Sequence, residues 1–156
     1  GTVHISVEAT TVGSGILLSQ DVDIYEGETA AETVVRMLQN NGYSVDYTGN
    51  YETGFYLARI SSESNFVTGN IPEDLRTKLE EHGFEIYDFT PNSLGDYDFT
   101  KGSGWMYQVN GVYPNYGLSD YCFQNGDTLR LRFTLAYGAD IGQDMTGGSD
   151  NWGYEW

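Results

Sequence analysis

Apolar and polar residues alternate along Val3-His4-Ile5-Ser6-Val7-Glu8-Ala9, a period of two that predicts a strand with one buried face. Gly13-Ser14-Gly15 supplies a turn, and Ile16 to Tyr25 returns as a second strand with Leu18, Val22 and Ile24 toward the core, so the two should form a hairpin. The period then changes. Ala30, Val34, Val35 and Leu38 recur at helical spacing, Thr29 stands as N-cap with Glu32 three residues on, and Asn41-Gly42 supplies a left-handed stop. Tyr43 to Tyr47 and Phe55 to Ile60 read as further strands on either side of the polar turn Thr48 to Gly54.

Residues 61 to 104 are the least regular third of the chain. Within them Pro72 precedes Glu73 and Asp74 as in a first helical turn, Leu75 and Leu79 lie four apart, and His82-Gly83 ends a second helix. A strand over Phe84 to Phe89 is expected next. The two helix-to-strand passages, Leu38…Asn41-Gly42-Tyr43 and Leu79…His82-Gly83-Phe84, share a pattern, and the capping chemistry of helix ends accounts for it more economically than a duplication. From Trp105 the pattern is β again: Trp105 to Val109, the turn Asn110-Gly111, Val112-Tyr113, Tyr121 to Phe123, the turn Asn125-Gly126-Asp127, and Leu129 to Tyr137. In the last strand Leu129, Leu131, Phe133 and Leu135 alternate with Arg130, Arg132, Thr134 and Ala136, which predicts a core face and an exposed face. Beyond Gly138 the composition turns to Gly, Asp and Ser, an irregular tail, and residues 143 to 156 are its acidic Gly/Asp/Trp end.

Composition narrows the function. Seven Lys+Arg stand against 23 Asp+Glu, a net charge of −16. Binding a phosphate backbone requires many basic residues, so nucleic acid is excluded as a partner and an anionic membrane surface is disfavoured. No apolar run reaches the roughly 20 residues of a membrane span, so no membrane insertion is expected. Thirteen Tyr and 20 Gly with little Lys suit an extracellular or cell-wall-associated domain rich in β turns. The single cysteine, Cys122, cannot form an intrachain disulfide and, between Tyr121 and Phe123, is expected to pack as a small apolar side chain.

Catalytic patterns are thin. His4 and His82 are the only histidines and do not share a helix face, which disfavours a zinc hydrolase, and Gly102-Ser103-Gly104 precedes a strand rather than forming a nucleophile elbow. No enzyme is expected. Asp140, Asp144 and Asp150, set among glycines, are candidate ligands for Ca²⁺, although the spacing is not that of an EF-hand and a solvated acidic tail is the simpler reading. Asp21/Asp23 and Asp96/Asp98 are alternates, each readable as the exposed side of a β segment. The aromatic residues are the better lead. Trp105, Tyr107, Tyr113, Tyr116 and Tyr121 fall in and around the Pro114-Asn115 loop, where rings beside amides and acids suit a carbohydrate, a corrinoid or a protein surface.

Three separated elements occur in register in this region: Gly104-Trp105-Met106-Tyr107-Gln108-Val109-Asn110-Gly111, then Gly117-Leu118-Ser119-Asp120-Tyr121, then Asn125-Gly126-Asp127-Thr128-Leu129. In this the chain resembles the DUF4430 family of bacterial surface proteins, itself similar to the C-terminal β domain of transcobalamin and intrinsic factor. The resemblance covers residues 20 to 60 and 104 to 142, with 61 to 103 looking inserted. It implies a single α+β domain over residues 1 to 142, a β-grasp-like mixed sheet packed on one main helix, with a second helix and strand in the insertion. It also implies a non-catalytic binding or adhesion module, with a corrinoid carrier as an alternative; a Ca²⁺-stabilised spacer is a further alternative that follows from the acidic tail. The residues themselves read more simply: the Val-Asn-Gly and Gly-Asp steps are turn residues that need positive φ or a local side-chain bond.

Overall fold

The computed structural model describes residues 1–63, 66, 69–90, 92–142 and 156. The chain forms β1 (Thr2–Ala9), β2 (Gly15–Asp23), α1 (Ala30–Asn40), β3 (Ser44–Thr48), β4 (Tyr56–Ser61), α2 (Glu73–Glu81), β5 (Ser93–Gly95), β6 (Gly104–Val109) and β7 (Thr128–Thr134). Short 3-10 turns occupy Thr10–Val12 and Leu118–Asp120. The class is α+β. Among the described residues no helix is long and apolar enough to cross a membrane.

The strands make two sheets. The larger is mixed, in the order β2-β1-β7-β6, with β1 parallel to β7 and the outer pairs antiparallel. The alternation read in β1 and β7 places Val3, Ile5 and Val7 beside Leu129, Leu131 and Phe133 on one face, all essentially water-free. They share one apolar cluster with the buried side of α1, where Val34, Val35, Met37 and Leu38 are also inside. Each such side chain contributes about 1.5–3 kcal/mol on leaving water. The smaller sheet, β3-β4-β5, is antiparallel and was not anticipated as a separate layer. Trp105 ties the two together: its ring meets Phe133 edge-on at 5.2 Å, and its indole N–H donates to the Leu94 carbonyl of β5 at 2.9 Å.

Both helices end in the same capping motif. Tyr43 N donates to Leu38 O and Gly42 N to Gln39 O; Phe84 N donates to Leu79 O and Gly83 N to Glu80 O. In each the Gly has φ above +80°, a conformation that side-chain-bearing residues adopt at a cost. The shared sequence pattern is therefore the chemistry of a helix stop. At the start of α1 the Thr29 hydroxyl accepts from Glu32 N, as its sequence predicted.

Four expected features come out differently. Phe84 to Phe89 is not a strand: Tyr87 N donates to Phe99 O and Phe99 N to Asp88 O, while the free side of β4 is taken by β5. Val112-Tyr113 goes no further than a bridge between Val109 and Val112, because Pro114 has no N–H to extend a ladder. Tyr121 to Phe123 is not a strand either, since the Tyr121 carbonyl is used to accept from Ala30 N at the start of α1. β7 stops at Thr134, whose hydroxyl oxygen accepts from Ala136 N and Gly138 N and so curls the chain away.

The outer face of β7 is not exposed as its alternation suggested. Arg132 and Thr134 are buried, and residues 138 to 142 pack instead of trailing off, with Ala139, Asp140 and Ile141 inside. Arg132 Nη1 and the Tyr113 hydroxyl both donate to the Ile141 carbonyl, which fastens this segment over the sheet.

Candidate functional site

The turn residues of the sequence motif bind one another. Asn110 (φ 51°) and Gly111 (φ 85°) make the two-residue turn after β6, and Asn110 Nδ2 donates to Asp127 Oδ1 at 3.0 Å. Asp127 Oδ2 accepts from the Tyr121 hydroxyl at 2.6 Å and from Gln124 N at 2.9 Å, while Asn110 Oδ1 accepts from Thr128 N. Burial pushes the Asp127 carboxyl up, but the bonds from Tyr121, Asn110 and Gln124 outweigh it and hold the group below its ordinary value. The same bond from Tyr121 to Asp127 pushes the phenol up to about 12. These residues brace the base of the Pro114 loop.

Above that base, Val109, Val112, Tyr113, Pro114, Asn115 and Tyr116 wall an open cavity of 390 Å³. Val112, 63% exposed, stands at its mouth. The loop is pinned from several sides: Tyr116 stacks on Tyr121 with ring centroids 5.4 Å apart, the Tyr107 hydroxyl donates to the Tyr116 carbonyl, and the Tyr113 hydroxyl reaches Ile141 O at 2.5 Å. Burial raises the Tyr107 phenol well above its ordinary range, so it stays protonated as a donor. Beyond the loop, Ser119 Oγ accepts from Phe55 N, joining the 3-10 turn to the smaller sheet.

The five candidate aromatic residues thus separate into different roles. Tyr113 and Tyr116 line the cavity, Tyr107 and Tyr121 hold it from beneath, and Trp105, 5% exposed, lies in the core between the sheets and offers no ring face to a ligand. Val109 and Val112 complete the wall; only their place beside the Asn-Gly turn could have pointed to them. Of the candidate metal ligands, Asp140 is buried, its two oxygens accepting from the Thr134 hydroxyl and from Leu135 N, and Asp144 and Asp150 lie outside the described residues. Asp21 belongs to β2, where it bonds His4; Asp96 accepts from the Tyr56 hydroxyl, and Asp98 is buried against Arg59 at 2.6 Å. Among the described residues no group of three or more His, Cys, Asp or Glu is arranged to hold a metal ion. Cys122 is exposed rather than buried, because Tyr121 and Phe123 on either side turn inward.

Residues 83–134 match the model of DUF4430, a domain of unknown function. The matched segment contains the whole loop, the turns that brace it, β5, β6 and β7; it begins inside the stretch that looked inserted. No curated protein matches the chain. Among solved structures the chain is similar to a candidate metal-binding protein from Ruminococcus gnavus, with 14% identity, a TM-score of 0.45, and 87% of this chain and 98% of that one covered. It is also similar to haptocorrin in complex with Cbi, with 11% identity, a TM-score of 0.45, and 87% of this chain but 26% of that one covered.

Proposed function

We propose that this chain is a non-catalytic binding module, extracellular or cell-wall-associated, that contacts its partner through the Pro114 loop and seats an apolar side chain of a protein ligand in the loop cavity. The observation that carries this reading is the cavity's lining: two valines, a proline and two tyrosines around one amide, with no charged group among them. Such a wall gives apolar area with a few directional bonds, the composition of a recognition surface. Because Asp127, Tyr107 and Tyr121 hold the loop before any ligand arrives, little ordering is needed on binding. The match to DUF4430 spans every residue of the loop.

Indole, a neutral mimic of an aromatic side chain, is the probe. Amide shifts in a ¹⁵N correlation spectrum should concentrate at Val109 to Tyr116 and vanish in Val112→Glu, which places a charge at the mouth. Shifts elsewhere, or none at millimolar indole, would overturn the reading, and a response at the same amides to cobinamide but not to indole would redirect it to a corrinoid. The cellular placement rests on −16 net charge and thirteen tyrosines. An export signal or wall anchor encoded in the full-length gene would support it, and a cytoplasmic fusion partner would sink it.

A further inference from the structure

At the opposite end of the β6–β7 pair lies a second cavity, of 320 Å³, lined by Gly83, Phe84, Glu85, Tyr87, Lys101 and Tyr137. Its volume falls within the range of small-molecule sites, about 300–1,000 Å³. Three segments distant in sequence are fastened together to make it. Tyr87 N donates to Phe99 O at 2.5 Å, Thr100 Oγ1 donates to Leu135 O at 2.5 Å, and Tyr137 N donates to Gly102 O at 2.9 Å. The rings crowd onto Gly102: a Cβ there would stand 2.9 Å from Phe84 Cε1 and 3.0 Å from Tyr137 Cδ2, so only glycine lets them close over the backbone.

The floor and walls combine exposed rings with one charged side chain of each sign. Tyr87 and Tyr137 keep 42% and 45% of their surface in water although both border a cavity. Tyr137 holds φ at 53°, a left-handed conformation that costs a residue with a side chain about 1–2 kcal/mol. Lys101 matters equally. Arg36, Arg59, Arg130 and Arg132 each lie within ion-pair distance of a carboxylate, whereas Lys101, like Arg76 and Lys78, has no ion pair among the described residues. Glu85 faces the same space, with one oxygen accepting from the Tyr87 hydroxyl at 2.8 Å.

Charge selects the ligand. A bare anion would meet Glu85 and the carbonyl end of α2, and a cation would meet Lys101, so neither sign alone is complementary. A neutral polyol satisfies both groups, because one hydroxyl donates to the carboxylate while its neighbour accepts from the ammonium. The exposed rings supply an apolar platform for the C–H face of a sugar ring. We propose that this cavity is a saccharide site, taking a neutral pyranose residue with its ring against Tyr137 and Tyr87 and adjacent hydroxyls bridging Glu85 and Lys101. It is separate from the loop cavity and does not depend on the reading given to that loop.

The test is a ¹⁵N spectral titration of the chain with methyl glycosides of glucose, galactose and N-acetylglucosamine, with choline and sulfate as charged comparisons. Saccharide-dependent shifts at Gly83 to Tyr87, Lys101-Gly102 and Tyr137-Gly138 are expected. Lys101→Gln, an exposed change that should not disturb folding, and Tyr137→Asn, which removes the ring while tolerating the left-handed backbone, should each weaken binding about tenfold. No shift with any of the three glycosides at tens of millimolar, equal binding by the two variants, or a response confined to choline or to sulfate would overturn the proposal.

Discussion

Two carboxylates are buried on either side of the end of β7, and they are held by different means. Glu8 lies on the outer face of the mixed sheet in register with Arg132, and its two oxygens accept from Arg130 Nε and Nη2 at 2.8 Å each, with Ser6 Oγ adding a third bond. Asp140, in the turn beyond the strand, is held by the Thr134 hydroxyl and by backbone amides, that of Leu135 at 2.8 Å. Burial pushes both groups up. At Glu8 the bonds from Arg130 and Ser6, and the charges of Arg130 and Arg132, outweigh burial and leave the carboxyl below its ordinary value; at Asp140 burial prevails and the carboxyl is raised. At Glu8 hydrogen bonds and two adjoining guanidinium charges outweigh burial, whereas at Asp140 hydrogen bonds alone do not.

The largest effect is expected at Glu8. Glu8→Ala leaves Arg132 buried without its facing carboxylate, 4.0 Å away, and should destabilise the fold by about 3 kcal/mol, read from the urea midpoint at pH 7. A loss below about 1 kcal/mol would reduce the cluster to the rank of a surface pair. Thr134→Val comes next. That hydroxyl donates to Asp140 and accepts from two amides, so its removal strands buried polar groups and should cost about 2 kcal/mol by the same measurement.

A pH series sharpens the contrast, because the signs oppose. Glu8, lowered in the folded state, contributes stability that is present above pH 4.5 and lost as pH falls through its folded value. Asp140, raised, contributes stability that is present below pH 3.8 and lost as pH rises through its folded value. The thermal midpoint of Glu8→Gln should therefore gain on wild type as pH falls, and that of Asp140→Asn should gain as pH rises. Differences of the same sign in the two variants would show that the two acids do not differ as described. The smallest effect is expected from Arg130→Lys, which exchanges a two-pronged contact for a point charge at a partly exposed position, about 1 kcal/mol or less.

Local order was legible wherever local chemistry decides it. The alternation of Val3, Ile5 and Val7, the helical spacing of Val34, Val35 and Leu38, the Thr29 cap and the two glycine stops all act over a few residues, and all are found where the sequence placed them. The Asn110-Gly111 turn was equally readable, and so was the local side-chain bond made by Asp127. The loop carrying Tyr113 and Tyr116 stood out by its ring content, and the structure gives it a cavity.

What remained hidden depends on partners far along the chain. By sequence Trp105 groups with the loop rings as a contact residue, but whether a given face meets water is decided by the second sheet, whose carbonyl at Leu94 receives its indole N–H. Arg132 and Asp140 read as exposed polar residues until Tyr113 and Ile141 closed over them. The Phe84 to Phe89 segment has the composition of a strand, yet pairing needs a free edge, and β5 already occupies the one beside β4. The sequence alone determined periods, caps and turns, since those energies are settled within one turn of backbone. Only the tertiary structure decided which faces were covered, what surrounds each buried acid, and that Lys101, Tyr87 and Tyr137 border one cavity, because burial and electrostatics depend on neighbours that chain order does not name.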